Sequence, residues 1–283
     1  MMRIDFHRFL GAAILWVLLA SCGNIVGPNY TGSLRSFQSS LESDADFQAF
    51  YIENAANFGS AQSYVGGGDD PVAVDGSKIH KAWILKANDS DNNSTSGYKP
   101  HRAYPTIQLQ KTSGGIYRTP CLVTFYVWLD VPLQSRSGIN DWVSLATLTP
   151  DSSDQWVRVV VANVTVDGYF RLVHVPNQGE QIYTYQAGAD NDPGKTKLFP
   201  WRKWVRVDIF IDFDETRGSA KLWQNQVLVS QAQVRGGRGA LAQAHFGLYA
   251  GAALGTGRVY NDKLRIREIT GEAAAQALVD EAY

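Results

Sequence analysis

From Ile79 onward, apolar and polar positions alternate in short runs, and each run ends in a cluster of turn-forming residues. A period of two puts successive side chains on opposite faces of a pleated strand, so the pattern predicts β-structure rather than helix. The predicted strands are Ile79–Lys86, Tyr104–Lys111, Leu122–Leu129, Trp142–Leu148, Trp156–Val164 and Tyr169–Val175. Further along come Gln181–Gln186, Trp204–Phe213, Ser219–Gln224, Ala244–Ala250 and Arg258–Ile269. The breaks at Asn88–Gly97, Pro150–Asp154, Ala187–Lys195, Asp214–Gly218 and Arg235–Gly239 are rich in Asn, Asp, Gly, Ser and Pro, the chemistry of turns and loops. Phe47–Ile52 reads as a strand or a helical turn, and only the Ala-rich tail Gly271–Tyr283 reads as helix.

So many short strands in about 200 residues, with no internal repeat, predict an all-β fold: a two-sheet antiparallel sandwich of the jelly-roll kind with a short C-terminal helix. Within Trp204–Phe213, Val205, Val207, Ile209, Ile211 and Phe213 share one face, while Trp204, Arg206, Asp208, Phe210 and Asp212 share the other. One face is expected in the core and the other in water. In the Tyr104 strand, Ile107 and Leu109 point one way and Tyr104, Thr106, Gln108 and Gln110 the other.

Before this domain the pattern is different. Arg3 and Arg8 precede an apolar run from Phe9 to Leu19, about a dozen residues and short of the ~20 that cross a bilayer as helix. That is the build of a signal peptide, residues 1–21. Its ending, Leu19-Ala20-Ser21-Cys22, resembles the bacterial lipoprotein lipobox. The resemblance implies that Cys22 is acylated, as by palmitate, and becomes the first mature residue. With Gly23 rather than Asp next, it implies a lipid-anchored protein of the cell envelope at the outer membrane. Residues 22–45, rich in Gly, Ser, Asn and Thr up to about Ser40, are expected to form a tether, and residues 46–283 the domain. Once Cys22 is lipidated only Cys121 is left, so the domain has no internal disulfide, and Cys121 at the head of an apolar run is expected to be a buried small hydrophobe.

Net charge is −1, which gives no basic field for nucleic acid and no acidic tail. Arg235-Gly-Gly-Arg-Gly239 is accordingly read as a loop. Aromatic residues make up 12% of the chain, enough for core packing and for stacking platforms alike.

Four segments in order, Trp204–Asp212, Gly218–Gln226, His245–Tyr249 and Val259–Ile266, resemble the C-terminal half of concanavalin A-like lectin/glucanase jelly rolls. The likeness leans toward the bacterial polysaccharide lyases of that superfamily: a long strand, a hairpin turn, a "G-x-Y" strand and a closing strand with an Asp. Gln226 stands where the hairpin usually has Gly. The resemblance implies polysaccharide as the partner, but fold alone does not fix activity.

The residues discriminate among activities. A glycoside hydrolase needs two carboxylates about 5–5.5 Å or ~6.5–9.5 Å apart. The glucanase "E-x-D-x-x-E" strand is missing, and Asp208 and Asp212 stand ~13 Å apart along one strand. Hydrolysis is disfavoured. Related lyases use "R-x-E", "Q-x-H" and "G-x-Y" strands. Here Arg102-Ala-Tyr104 lacks the Glu, Gln108-Leu-Gln110 lacks the His, and Gly247-Leu-Tyr249 is intact. Arg102, Gln108, His174, His245 and Tyr249 are the candidate lyase residues: a cation or amide for the uronate carboxylate, a histidine base and a tyrosine acid. A binding module needs only aromatic faces and amides, and Tyr104, Gln110, Tyr126, Trp128, Tyr183 and Tyr185 qualify. No cofactor is required. Asp69, Asp70 and Asp262 are candidate ligands for the structural calcium that the resemblance implies as an option. No metalloprotease motif, Cys-x-x-Cys or nucleophile elbow occurs. With two of three lyase patterns broken, polysaccharide binding without chemistry leads. A β-eliminating lyase and a non-catalytic structural surface protein stay as alternatives.

Overall fold

The computed structural model describes residues 33–44, 51–57, 59–88, 100–111, 115–136, 139–152, 156–177, 179–184 and 198–281. Cys22 and Tyr185 lie outside the described residues. In chain order the strands are β1 (Ser36–Ser39), β2 (Tyr51–Asn57), β3 (Ser60–Val65), β4 (Ile79–Ile84), β5 (His101–Gln108), β6 (Tyr117–Arg118), β7 (Cys121–Asp130), β8 (Ser135–Arg136), β9 (Ile139–Asn140) and β10 (Trp142–Thr149). They continue with β11 (Val159–Thr165), β12 (Phe170–Val175), β13 (Ile182–Thr184), β14 (Trp204–Asp212), β15 (Gly218–Gln224), β16 (Val227–Val234), β17 (Ala240–Leu241), β18 (Gln243–Ala250) and β19 (Gly257–Glu268), followed by helix α1 (Glu272–Asp280).

Two antiparallel sheets stack face to face. Sheet A runs β16-β15-β14-β7-β19-β4-β3, and β1 pairs with the second half of β19 beside β4. Sheet B runs β13-β12-β11-β10-β18-β5-β2. The inward faces meet in one apolar core that includes Phe125, Val127, Ile209 and Ile211 from sheet A and Leu148, Val164, Leu172, Phe246 and Leu248 from sheet B. Phe125 and Phe246 meet edge to face across the gap, ring centroids 5.3 Å apart. The predicted all-β sandwich with a short C-terminal helix is the observed fold.

Two details depart from the sequence pattern. Ser36–Ser39, inside the stretch expected as tether, forms β1, because Phe37 and Leu41 carry a short alternation into the core that the polar composition masks. The second face of β14 is not wet. Phe210 packs with Leu122, Trp223, Ala275 and Val279 beneath α1. Beside them Arg206 and Asp208 form a buried ion pair at 2.9 Å, and the Arg206 guanidinium also donates to the carbonyls of Leu278 and Glu281 at the helix C-terminus. Cys121 is buried as expected; its Sγ donates to the Arg118 carbonyl at 3.0 Å, and burial pushes the thiol pKa up.

Sheet B is bent by bulges in its middle strands. Between Ser144 and Ala146, β10 carries one residue more than β11; across the same step β18 carries one more than β10. Extra residues bend a strand and increase its twist. Gly247 sits in the β18 step with φ +134°, and an added Cβ there would lie 2.8 Å from the Ala103 carbonyl oxygen.

Candidate functional site

The outer face of sheet A is covered at both ends. Helix α1 covers Leu122, Phe210 and Trp223. The loop after β3 covers the other end: the Val72 carbonyl accepts from Trp204 Nε1 at 2.8 Å, and the backbone N–H groups of Val74 and Asp75 donate to Asp262. The outer face of sheet B instead holds a groove.

That groove has a volume of about 930 Å³ and lies over β10 to β13. Its floor is apolar: Val159, Val161 and Val173, with Val175 and Trp156 packed against them. The antiparallel register places one polar row across it, Tyr249–Ser144–Asn163–Arg171, from β18 through β10 and β11 to β12, and Arg102 of β5 continues the row beyond the groove. Ser144 donates to the Asn163 side-chain oxygen at 2.5 Å, and Arg171 pairs with Asp167. Aromatic rings stand along the rim: Trp142 against Tyr249 at 5.1 Å, Trp156, and Tyr183, which is 53% exposed. Trp156 is held at φ +50°, a left-handed conformation that costs a bulky residue roughly 1–3 kcal/mol and persists only where the surroundings impose it.

Behind Trp156 the same sheet face carries a closed corner. His245 stacks on Tyr104 with centroids 4.0 Å apart and lies 5.0 Å from the Trp156 ring. Neither of its ring nitrogens has a hydrogen-bond partner among the described residues. Burial, aided by the nearby Arg102 guanidinium, drives its pKa down to about 3, so the imidazole is neutral. Arg102 lies over the Tyr249 ring at 5.6 Å, and Tyr249 meets Tyr104 edge-on at 6.3 Å.

The sequence-predicted residues therefore divide into groups. Arg102, Tyr104, Gln108, His245 and Tyr249 share the outer face of β5 and β18, and of these Tyr249 lines the open groove. Gln108 is buried opposite Gln243 at the far end. Gln110 lies in the one-turn helix after β5, with both side-chain amide atoms buried and unpartnered among the described residues. His174 points the other way, between the sheets. Its Nδ1 faces the Val159 carbonyl at 3.2 Å, and its Nε2 accepts from the Arg235 backbone N–H at 2.9 Å, clipping β12 to the end of β16. Tyr126 and Trp128 are on the outer face of sheet A, where Trp128 packs edge-on against Tyr260. Tyr183 stands at the groove edge.

Trp142, Ser144, Asn163 and Arg171 were not singled out from the sequence. A signal was present: Val159-Val160-Val161-Ala162 is a continuous apolar run, which marks a strand covered on both faces rather than one facing water.

The aspartates do not form a metal site. Asp70 pairs with Lys81 at 2.6 Å and accepts from the Tyr260 hydroxyl at 2.7 Å, Asp262 accepts from two backbone N–H groups, and Asp69 is exposed. Among the described residues no group of three or more metal-ligating side chains occurs. A cation at Asp70 would have to displace an ammonium, so the residues present do not fit a calcium ion.

No family model and no curated protein matches the chain. Among solved structures it is similar to a cellulose-induced protein, Cip1, with a TM-score of 0.53 and 15% identity over 81% of this chain and 95% of that one. At that identity the likeness is one of fold. Looser similarity extends to domain 4 of AbnA, a GH43 extracellular arabinanase from Geobacillus stearothermophilus solved with arabinotriose: TM-score 0.39, 13% identity, 78% of this chain and 88% of that. It extends also to a structure reporting that cell entry of botulinum neurotoxin type C depends on two ganglioside molecules: TM-score 0.42, 12% identity, 84% of this chain and 52% of that. The chain spans about half the length of that toxin chain.

Proposed function

We propose that the chain is a lipid-anchored envelope protein whose β-sandwich binds polysaccharide in the groove over β10 to β13, without chemistry. The groove itself carries the reading. A pyranose ring has apolar C–H faces and a polar rim. The groove matches both, with a valine floor and the rings of Trp142, Trp156, Tyr183 and Tyr249 beside Ser144, Asn163, Arg171 and Gln181. Affinity electrophoresis through gels loaded with neutral and uronate-containing polysaccharides tests it. Retardation is expected on at least one polymer, and Trp142→Ala or Tyr249→Ala is expected to weaken binding about tenfold, the scale of one aromatic contact. Val227→Ala, on the opposite sheet, serves as the control. No retardation on any polymer overturns the reading. For the anchor, the wild type is expected to incorporate labelled palmitate and fractionate with membranes; Cys22→Ser that still does both would remove the lipoprotein part.

A second reading, β-elimination on a uronate polymer, is favoured by the shared face of Arg102, His245 and Tyr249. His245 would take the C5 proton as the C4–C5 double bond forms, and Tyr249 would protonate the oxygen leaving C4. Two features count against it. A base with a pKa of about 3 holds a proton poorly at neutral pH, and the Tyr104 and Trp156 rings cover the imidazole. Binding without chemistry therefore expects no new ultraviolet absorbance from unsaturated ends. A rise that His245→Ala abolishes would reverse the order of the two readings.

A further inference from the structure

The β11–β12 turn does not close the groove. Val166 and Asp167, in that turn, line both the groove and a second cavity of about 850 Å³ beyond the strand ends. The second cavity is framed by the segment that leads into β14. Leu198 is 61% exposed and Trp201 37%, two large apolar side chains left in water at one spot. Neither is loosely held. Leu198 bridges to Tyr169 across the turn, and Trp201 packs edge-on against Phe199 at 6.3 Å. Phe199 is fully buried against Phe170 of β12. The Trp201 ring is thus fixed by the same strand that floors the groove.

From this continuity we infer that the binding site extends over the turn, with Trp201 as a stacking platform for further sugar units of the same polysaccharide chain. The inference rests on the proposed binding function and adds chain length to it: the protein holds an internal stretch of polymer rather than a short end. Along β11, Val159 to Thr165 spans ~20 Å, and the second cavity lengthens the track past the strand end. The extension selects by shape and stacking more than by charge. On its wall Arg202 carries its own carboxylate, Asp130 at 2.9 Å, and Lys203 is exposed; at the near end, in the groove, Arg171 pairs with Asp167.

The experiment is a calorimetric titration with a size-graded oligosaccharide series from whichever polymer retards the wild type. Wild-type affinity is expected to keep rising with length beyond the oligomer that fills the first groove. Trp201→Ala is expected to erase that later gain, about tenfold, while leaving the shortest binding oligomers unchanged. Trp142→Ala should weaken every length. Leu198→Gln, an exposed change at the same platform, gives a second variant should Trp201→Ala disturb the fold, and thermal melts monitor both. Long-oligomer affinity unchanged in both variants overturns the extension while the groove stands. No binding by the wild type at any length overturns the groove reading, and the extension falls with it.

Discussion

Taking the protein from pH 7 to pH 4 is expected to cost several kcal/mol of stability at His80 and His245, which the sandwich buries in their neutral form. His80 and His245 are buried, and burial lowers their pKa to about 4 and about 3 from an ordinary 6.5. Below pH 6.5 the unfolded chain binds a proton at each site that the native state refuses. Stability therefore falls with pH until the folded values are reached, at about 1.4 kcal/mol per pH unit and group. By pH 4 the pair has cost roughly 7 kcal/mol. Asp262 works in the opposite sense. Burial raises its pKa to about 6, so between pH 6 and its unfolded value near 4 the native state binds the extra proton and gains about 3 kcal/mol. The histidines win. Urea denaturation at several pH values measures the slope: His80→Gln and His245→Phe should each flatten the acid limb by about 1.4 kcal/mol per pH unit, and Asp262→Asn should steepen it. Variants as acid-sensitive as the wild type would mean that the loss arises elsewhere.

The strand alternation made the sandwich legible in the sequence, because a period of two survives wherever one face is core. It failed where polar residues interrupt a short strand, as in β1, β3 and β16, and where an outer face is covered by something distant in sequence. Arg206 and Asp208 read as solvent-facing because nothing local says that α1, some 70 residues later, lies over them. The candidate site was half legible for the same reason. Parity put His245 and Tyr249 on one face and Tyr126 with Trp128 on one face, both as observed, but it cannot say which sheet those faces belong to. His174 illustrates the limit. It shares parity with Phe170 and Leu172 of the core face, but parity cannot name its partner, the backbone of Arg235 just past the end of β16 in the other sheet.

Gly247→Ala is expected to cost about 3–5 kcal/mol and to disturb the groove at the same time. At φ +134° the residue occupies backbone space that a side chain rarely tolerates, a strain of roughly 1–3 kcal/mol on its own. The new Cβ would also lie 2.8 Å from the Ala103 carbonyl oxygen, 3.1 Å from Tyr104 Cβ and 3.2 Å from His80 Cε1. The first of these is backbone inside the β5–β18 ladder, so it cannot swing aside as the tip of a long side chain would. Relief requires β18 to move. Tyr249, two residues on and opposite Ser144, would move with it, so polysaccharide affinity is expected to fall even at temperatures where the variant remains folded. Two controls separate the causes. Gly239→Ala meets open space at φ +67° and should show backbone strain alone, about 1–2 kcal/mol. Gly255→Ala has no positive φ and its nearest neighbour is 3.9 Å away, so it should be near neutral. Denaturant midpoints for the three variants test the ordering. A Gly247→Ala midpoint no lower than that of Gly239→Ala would show that the close approach to Ala103 is not what fixes glycine at the bulge.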